Sequence, residues 1–148
     1  MLGLIKRYAV AAPLRLAQTL RPLLPSGGVL AFTNSILGSV ELGLSPELGL
    51  YGASKAALNS IGDAMRMELG PLGICVNAIC PGFFPSKMTA GLLQALGEDK
   101  LAAAAPLQRL GDDEDLKGAA VLFASDAGKH ITGQWLAVDG GVSVVTGG

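Results

Sequence analysis

The chain has 148 residues, half of them apolar and 16% charged, with a formal net charge of −1. That length suits one domain, the charge provides no basic stripe for nucleic acid, and no run reaches the roughly 18 apolar residues of a membrane span. A mean hydropathy of +0.48 is high for a self-contained soluble domain, and a parallel sheet whose strands are buried on both faces explains it.

The first forty residues carry Lys6, Arg7, Arg15 and Arg21 and no acidic residue, the charge pattern of a mitochondrial presequence. The favoured reading is an ordinary helix over residues 11–25, and Arg15 interrupts any secretory apolar core. Pro25 to Gly28 form a turn. Val29 to Asn34 then read as a buried strand, an apolar run bounded by turn signals, with Ser35 at its C-terminal end. In open parallel sheets ligands bind at that end of the strands. Ser39 to Leu48 are expected to be a loop, since Gly43, Ser45 and Pro46 oppose regular structure.

Leu50-Tyr51-Gly52-Ala53-Ser54-Lys55-Ala56-Ala57-Leu58 opens the longest helical pattern, which runs without proline to about Leu69. Tyr51 and Lys55 are one helical turn apart and share a face. A neighbouring ammonium favours phenolate, so the pair is expected to bring Tyr51 toward neutrality and equip it to exchange a proton with an oxygen. On a helical wheel Tyr51, Lys55, Leu58, Gly62, Met65 and Leu69 form one stripe, polar at its start and apolar at its end. The opposite face carries Ala53, Ala56, Ala57, Ser60, Ala64 and Met67. It is too small and weakly polar for an ordinary solvated face, and it would let another helix approach closely.

Ile74 to Ile79 read as a second strand, and a helix between two such apolar strands implies a parallel crossover. Cys75 and Cys80 lie about 16 Å apart if extended, too far for a disulfide, and read as buried thiols in a reducing compartment. Pro81-Gly82-Phe83-Phe84-Pro85-Ser86 leaves the sheet. Met88 to Ala105 read as one apolar helix, a natural lid. Gly111 to Asp115 read as a helix start whose acids cap it rather than bind metal. His130 is taken as a surface residue, and Gln134 to Val138 as the third strand.

Taken together, Ser35 with Gly38, the Tyr51-x-x-x-Lys55 helix, Gly73 through Gly82, Pro106 through Gly111, Ile131 through Gln134 and Val138 through Gly141 resemble the C-terminal half of a short-chain dehydrogenase/reductase, with 3-oxoacyl-thioester reductases among the similar members. The resemblance implies a half of a Rossmann-type α/β fold with three parallel strands. It implies Ser35 as carbonyl binder, Tyr51 as general acid/base, and Lys55 as the group that holds the nicotinamide ribose and tunes Tyr51. It places Pro81, Gly82, the Phe84 backbone and the Ser86 hydroxyl at the nicotinamide carboxamide. Ser39 competes with Ser35, because Ser35 to Tyr51 exceeds the usual spacing by roughly three residues, and Ser35 is preferred for ending a strand. The family's water-holding asparagine falls at Ala9. Segments divide as residues 1–9, which match nothing recognised, 10–141, the partial NAD(P)-binding domain, and 142–148, a glycine-rich tail.

The implied activity is hydride transfer between NAD or NADP, with NADP preferred, and a small carbonyl or alcohol substrate. A homo-oligomer through the helix with Ala53, Ala57 and Ala64 is expected, without nucleic-acid or membrane partners, in the cytoplasm or alternatively in mitochondria. The pyrophosphate-seating Gly-x-x-x-Gly-x-Gly turn occurs nowhere in these residues. The chain is therefore expected to be an N-terminally truncated half, inactive by itself. The alternative from another class is a non-catalytic fragment that serves as an oligomerisation module.

Overall fold

The structure, a computed structural model, describes Gly3 and residues 6–39 and 46–145. The middle of the expected 39–48 loop, parts of the 1–9 segment and the end of the tail, Thr146 to Gly148, lie outside the described residues. Three parallel strands form one sheet in the order β1 (Val29–Thr33), β2 (Cys75–Pro81) and β3 (Trp135–Val138). The register sets Val29 opposite Cys75 and Thr33 opposite Ile79, then Ala78 opposite Trp135 and Pro81 opposite Val138. All three strands therefore deliver their C-terminal ends to one edge of the molecule, as the apolar strand pattern anticipates.

A wide helical turn at Lys6–Ala11 runs into α1 (Ala12–Leu20), where Pro13 is tolerated because first-turn N–H groups have no intrahelical acceptor. Ala17 of α1 is 3% exposed and packs with Met65, Leu69, Ile74 and Val76, so this segment is an ordinary core helix. The long helix α2 (Pro46–Leu69) crosses from β1 to β2. It begins earlier than the sequence suggests. Pro46 starts the helix instead of preventing it, since its fixed φ suits the first turn.

The stripe expected to face inward does so: Leu58, Met65 and Leu69 are buried, each such side chain contributing about 1.5–3 kcal/mol. Gly62 belongs to the same stripe, and a methyl there would come within 2.3 Å of the Trp135 ring. Trp135, Ile36, Ala78, Cys80, Ala105 and Val142 form a second core cluster toward the C-terminal edge of the sheet. Asn77, wholly buried, donates to the Ile131 carbonyl at 2.8 Å and accepts from the Gln134 N–H at 3.1 Å. It thereby fixes the approach to β3.

Three expectations are corrected. The 88–105 helix is two short ones, α3 (Ala90–Leu96) and α4 (Glu98–Ala103), parted at Gly97, whose φ of +85° no α-helix accommodates. The acidic run does not cap a helix. α5 (Lys117–Ala124) starts after it and holds no acid in its first turn, and Asp115 instead grips Arg109 with two bonds of 2.6 and 2.7 Å. Cys75 is half-buried rather than buried, its thiol 3.7 Å from the Lys129 carbonyl, while Cys80 is buried as expected, and both are unbridged. His130 is exposed, and a short helix α6 (Val142–Val145) follows β3.

Candidate active site

β1 carries Ser35 to the C-terminal edge in extended conformation, φ −162° and ψ 150°. The chain then tightens into a single turn at Ile36–Gly38, with the Leu37 N–H donating to Ser35 Oγ at 3.2 Å. Two glycines bring this turn onto α2. A methyl on Gly38 would sit 2.9 Å from the Lys55 carbonyl carbon, and one on Gly52 would sit 2.7 Å from the Leu37 carbonyl oxygen. The Ser-x-x-Gly and Tyr-Gly patterns thus have a steric meaning: a bulkier residue at either position would lift Ser35 off the helix.

The contact so formed sets the Ser35 side chain beside the Tyr51 phenol, where it favours the ionised form of the phenol. Lys55 Nζ lies 5.6 Å from the Tyr51 ring centroid and donates to the Thr33 carbonyl at 3.1 Å. Serine, tyrosine and lysine therefore converge at the carboxyl end of β1, and Ser35, only 8% exposed, is shielded from bulk water. Ser39 points elsewhere, its Oγ accepting from Asn59 Nδ2 at 3.3 Å.

The electrostatics differ from the sequence reading. Burial pushes the Tyr51 phenol up from its ordinary value, and the Ser35 side chain pulls it only partly back. Burial likewise pushes Lys55 down, opposed by the charge of the neighbouring Cys80 thiol group. The expected lowering of Tyr51 by the ammonium does not prevail, because Nζ is bonded to a backbone carbonyl and faces the ring rather than the hydroxyl. The Tyr51 phenol therefore keeps its proton at neutral pH.

Cys80 belongs to this neighbourhood and was missed as a site residue. Burial raises its thiol, against the Ser35 N–H and Lys55 that favour the thiolate. Its place immediately before Pro81-Gly82, at a strand's carboxyl end, was the available signal. Asn34 and Asn59 were missed as well. Asn59 stands four residues after Lys55, so helical spacing alone could have placed it on the same side.

The residues assigned to the nicotinamide end divide. Pro81 ends β2, and the Gly82 N–H donates to Val138 O at 3.0 Å, with Asp139 packed where a Gly82 side chain would go. Beyond it the loop turns away. The Phe84 ring lies against Gly111, and the Phe84 carbonyl accepts from Thr89 Oγ1 at 2.6 Å. Ser86 Oγ pairs with the same threonine hydroxyl at 2.9 Å. No hydrogen bond among the described residues joins Phe84 or Ser86 to Ser35, Tyr51 or Lys55. Phe84 instead lines a separate cavity of about 490 Å³, along with Leu107, Arg109, Asp139 and Val144.

A nicotinamide riboside suits the cluster chemically. The ammonium has three donors of which Thr33 takes one, and the buried phenol lies one turn away. For a pyrophosphate the described residues contain no glycine-rich turn opening a helix. Among the described residues no group of three or more His, Cys, Asp or Glu could hold a metal ion, and no helix is long and apolar enough to cross a membrane.

Comparison with known proteins gives a consistent set of likenesses. The family model described as enoyl-(acyl carrier protein) reductase matches residues 6–143. A 3-oxoacyl-[acyl-carrier-protein] reductase FabG of Staphylococcus epidermidis is 38% identical over 117 residues, 79% of this chain and 46% of the relative. A cyclohexanol dehydrogenase of a Rhodococcus species is 37% identical over 93 residues, 63% of this chain and 34% of the relative. The crystal structure of a gluconate 5-dehydrogenase from Burkholderia cenocepacia in complex with NADP and tartrate superposes with a TM-score of 0.85 at 27% identity, covering 94% of this chain and 55% of that one. The chain thus spans about half the length, or less, of the curated relatives it matches.

Proposed function

The chain belongs to the short-chain dehydrogenase/reductase family, through its match to the enoyl-(acyl carrier protein) reductase description, and from that premise we propose that it carries the proton-transfer half of an NAD(P)-dependent carbonyl reductase site. The observation that supports this most is the convergence of Ser35, Tyr51 and Lys55 at the carboxyl end of β1, with Lys55 Nζ 5.6 Å from the Tyr51 ring centroid and the Ser35 turn packed on the same helix.

In this reading the Ser35 hydroxyl donates to the substrate carbonyl oxygen and aligns it with Tyr51. As a hydride reaches the carbonyl carbon and the C–O double bond opens, Tyr51 passes its phenolic proton to the oxygen, leaving alcohol and phenolate. The Lys55 ammonium then stabilises the phenolate by charge. In the reverse direction phenolate takes the alcohol proton. The raised phenol keeps Tyr51 in the proton-donating form near neutral pH. When bound, the nicotinamide supplies or accepts the hydride, and Tyr51, Lys55, Pro81 and Gly82 would hold its ribose and ring. NADP is favoured over NAD by the NADP-bound gluconate 5-dehydrogenase. Phe84 and Ser86 remain proposed carboxamide contacts, reached by opening the Thr89 turn. The substrate is a small carbonyl or alcohol, the working unit is residues 10–141, and the compartment is the cytoplasm.

The opposite face of α2, where Ala53, Ala56, Ser60 and Ala64 are exposed and Ala57 is half-buried, is the proposed self-association surface. The second reading, an interaction module without turnover, is favoured by one specific observation, that these 148 residues hold no Gly-x-x-x-Gly-x-Gly turn. Calorimetric titration of the chain with NADPH and NADH, beside turnover of a ketone panel, separates the readings. The expected result is neither micromolar affinity nor turnover for the chain alone. Turnover should appear once it is joined to the dinucleotide-binding half of a longer relative. No turnover in the joined protein would leave the interaction module as the function.

A further inference from the structure

Asn34 stands between two residues of the site: Thr33, whose carbonyl holds Lys55 Nζ, and Ser35, whose side chain lies beside the Tyr51 phenol. Its side chain lies in the interior, the residue being 3% exposed. Asn34 Nδ2 donates to the Lys55 backbone carbonyl at 3.3 Å and to Asn59 Oδ1. Asn59, one turn beyond Lys55, carries the connection onward, its Nδ2 donating to the Gly38 carbonyl at 3.2 Å and to Ser39 Oγ at 3.3 Å. The two amides therefore close a ring that runs from the end of β1 to helix α2 and back to the turn that follows Ser35.

This ring is a costly way to fill the space. Asn34 Oδ1 is buried and has no hydrogen-bond partner among the described residues, and an unpaired buried carbonyl loses its hydration without return. An aliphatic side chain of similar volume would pack there without that loss. What an aliphatic side chain cannot do is fix direction, because apolar contact tolerates sliding whereas a chain of buried hydrogen bonds rigidifies the elements it joins. The need for direction is plain at Ser35. Its hydroxyl must meet the Tyr51 hydroxyl within hydrogen-bond tolerance, and about 1 Å of misplacement can cost around a hundredfold in rate. Gly38 and Gly52 permit the close approach of turn and helix, but glycines only remove obstacles.

We propose that Asn34 and Asn59 are positioning residues whose paired amides clamp the Ser35 turn to helix α2 and thereby set the Ser35 side chain against Tyr51. The proposal rests on the reading of Ser35 and Tyr51 as the proton-transfer pair. Neither asparagine touches the reacting atoms, and both act through Ser35.

The test uses the full 148-residue chain and needs no cofactor. The chain has two tyrosines, Tyr8 and Tyr51, so NMR titration of protein labelled at the tyrosine ring Cζ resolves each phenol, with Tyr51→Phe for assignment. Ser35→Ala deletes the hydroxyl that favours phenolate, and the Tyr51 midpoint moves up. Asn34→Ser and Asn59→Leu leave Ser35, Tyr51 and Lys55 in place, and each is expected to reproduce most of that upward shift with far-UV circular dichroism unchanged. A merely structural role would lower the melting temperature and leave the midpoint where it was. Asparagine variants that titrate like the unsubstituted chain, beside a shifted Ser35→Ala, overturn the clamp and leave the site reading intact. An unshifted Ser35→Ala overturns the Ser35–Tyr51 pairing itself, and the clamp with it. Should Asn34→Ser fail to fold, Asn59→Leu at its half-buried position decides alone, an unmoved midpoint again overturning the proposal.

Discussion

Two polar clusters stand along the same carboxyl edge of the sheet, built in opposite ways. Around Ser35, Tyr51 and Lys55 the groups are buried or half-buried, and each is held by atoms of β1, its turn or α2. Around Arg109 the ion pair to Asp115 has better distances, 2.6 and 2.7 Å, and a cavity of about 490 Å³ beside it. Yet the Arg109 side chain is 50% exposed, and solvent screens such a pair so that it contributes little to stability. That cavity is lined mainly by glycines and apolar side chains, Phe84 among them. Its one other carboxylate, Asp139, is occupied by the Gly141 and Ser143 N–H groups. Titratable groups are shifted in both clusters, by burial at Tyr51 and Lys55 and by the ion pair at Asp115. What separates the two clusters is the cause of the shift, loss of water in one and a paired charge in the other.

The comparison breaks most visibly at Tyr51. In the protein joined to a dinucleotide-binding half, Tyr51→Phe should lower kcat by at least about a hundredfold, the lower end of the range for losing a positioned acid, while calorimetry shows cofactor affinity unchanged. Retained turnover would move the acid role elsewhere, and the Arg109 cluster would have to be reconsidered.

Next in size is the packing that holds the cluster's helix. Gly62→Ala drives a methyl into Trp135 and should cost about 1–3 kcal/mol in denaturant unfolding. Gly49→Ala on the same helix meets nothing within 4 Å and should stabilise by roughly 0.5–1 kcal/mol. Equal effects from the two would mean that helix propensity, not the Trp135 contact, governs α2.

The exposed face of α2 is tested by charge. Ala57→Glu or Ala64→Glu should give a smaller species by light scattering, with secondary structure kept. An unchanged mass for both places any self-association on another surface.

The smallest effect belongs to the exposed pair. Arg109 holds Asp115 at about 2, below its ordinary 3.8. A depressed carboxylate contributes its stability above the ordinary value and loses it as pH falls through the folded one. Unfolding curves of the chain and of Asp115→Asn should therefore differ slightly near pH 5 and converge toward pH 2. A difference that persists to the acid end would assign Asp115 a role other than its ion pair.

Periodicity alone determined much of this molecule. Tyr51 and Lys55 share a face because four residues make one helical turn, and Leu58, Gly62, Met65 and Leu69 continue that face into the core. Ser35 ends a strand because the apolar run before it ends. These are local consequences of chain geometry, and a single sequence displays them. What the tertiary structure decided is of another kind. The Asn34–Asn59 bond joins residues 25 apart, and nothing in local spacing pairs them. The break at Gly97 and the helix start at Pro46 are conformations that glycine and proline permit without requiring. The grip of Asp115 on Arg109 in place of a helix cap depended on where the loop folded. The direction of the Tyr51 shift could not be read from Tyr-x-x-x-Lys either. Desolvation sums over every group packed around the phenol, from β1, its turn and α2 alike, and that sum exists only once the strands and helix have met.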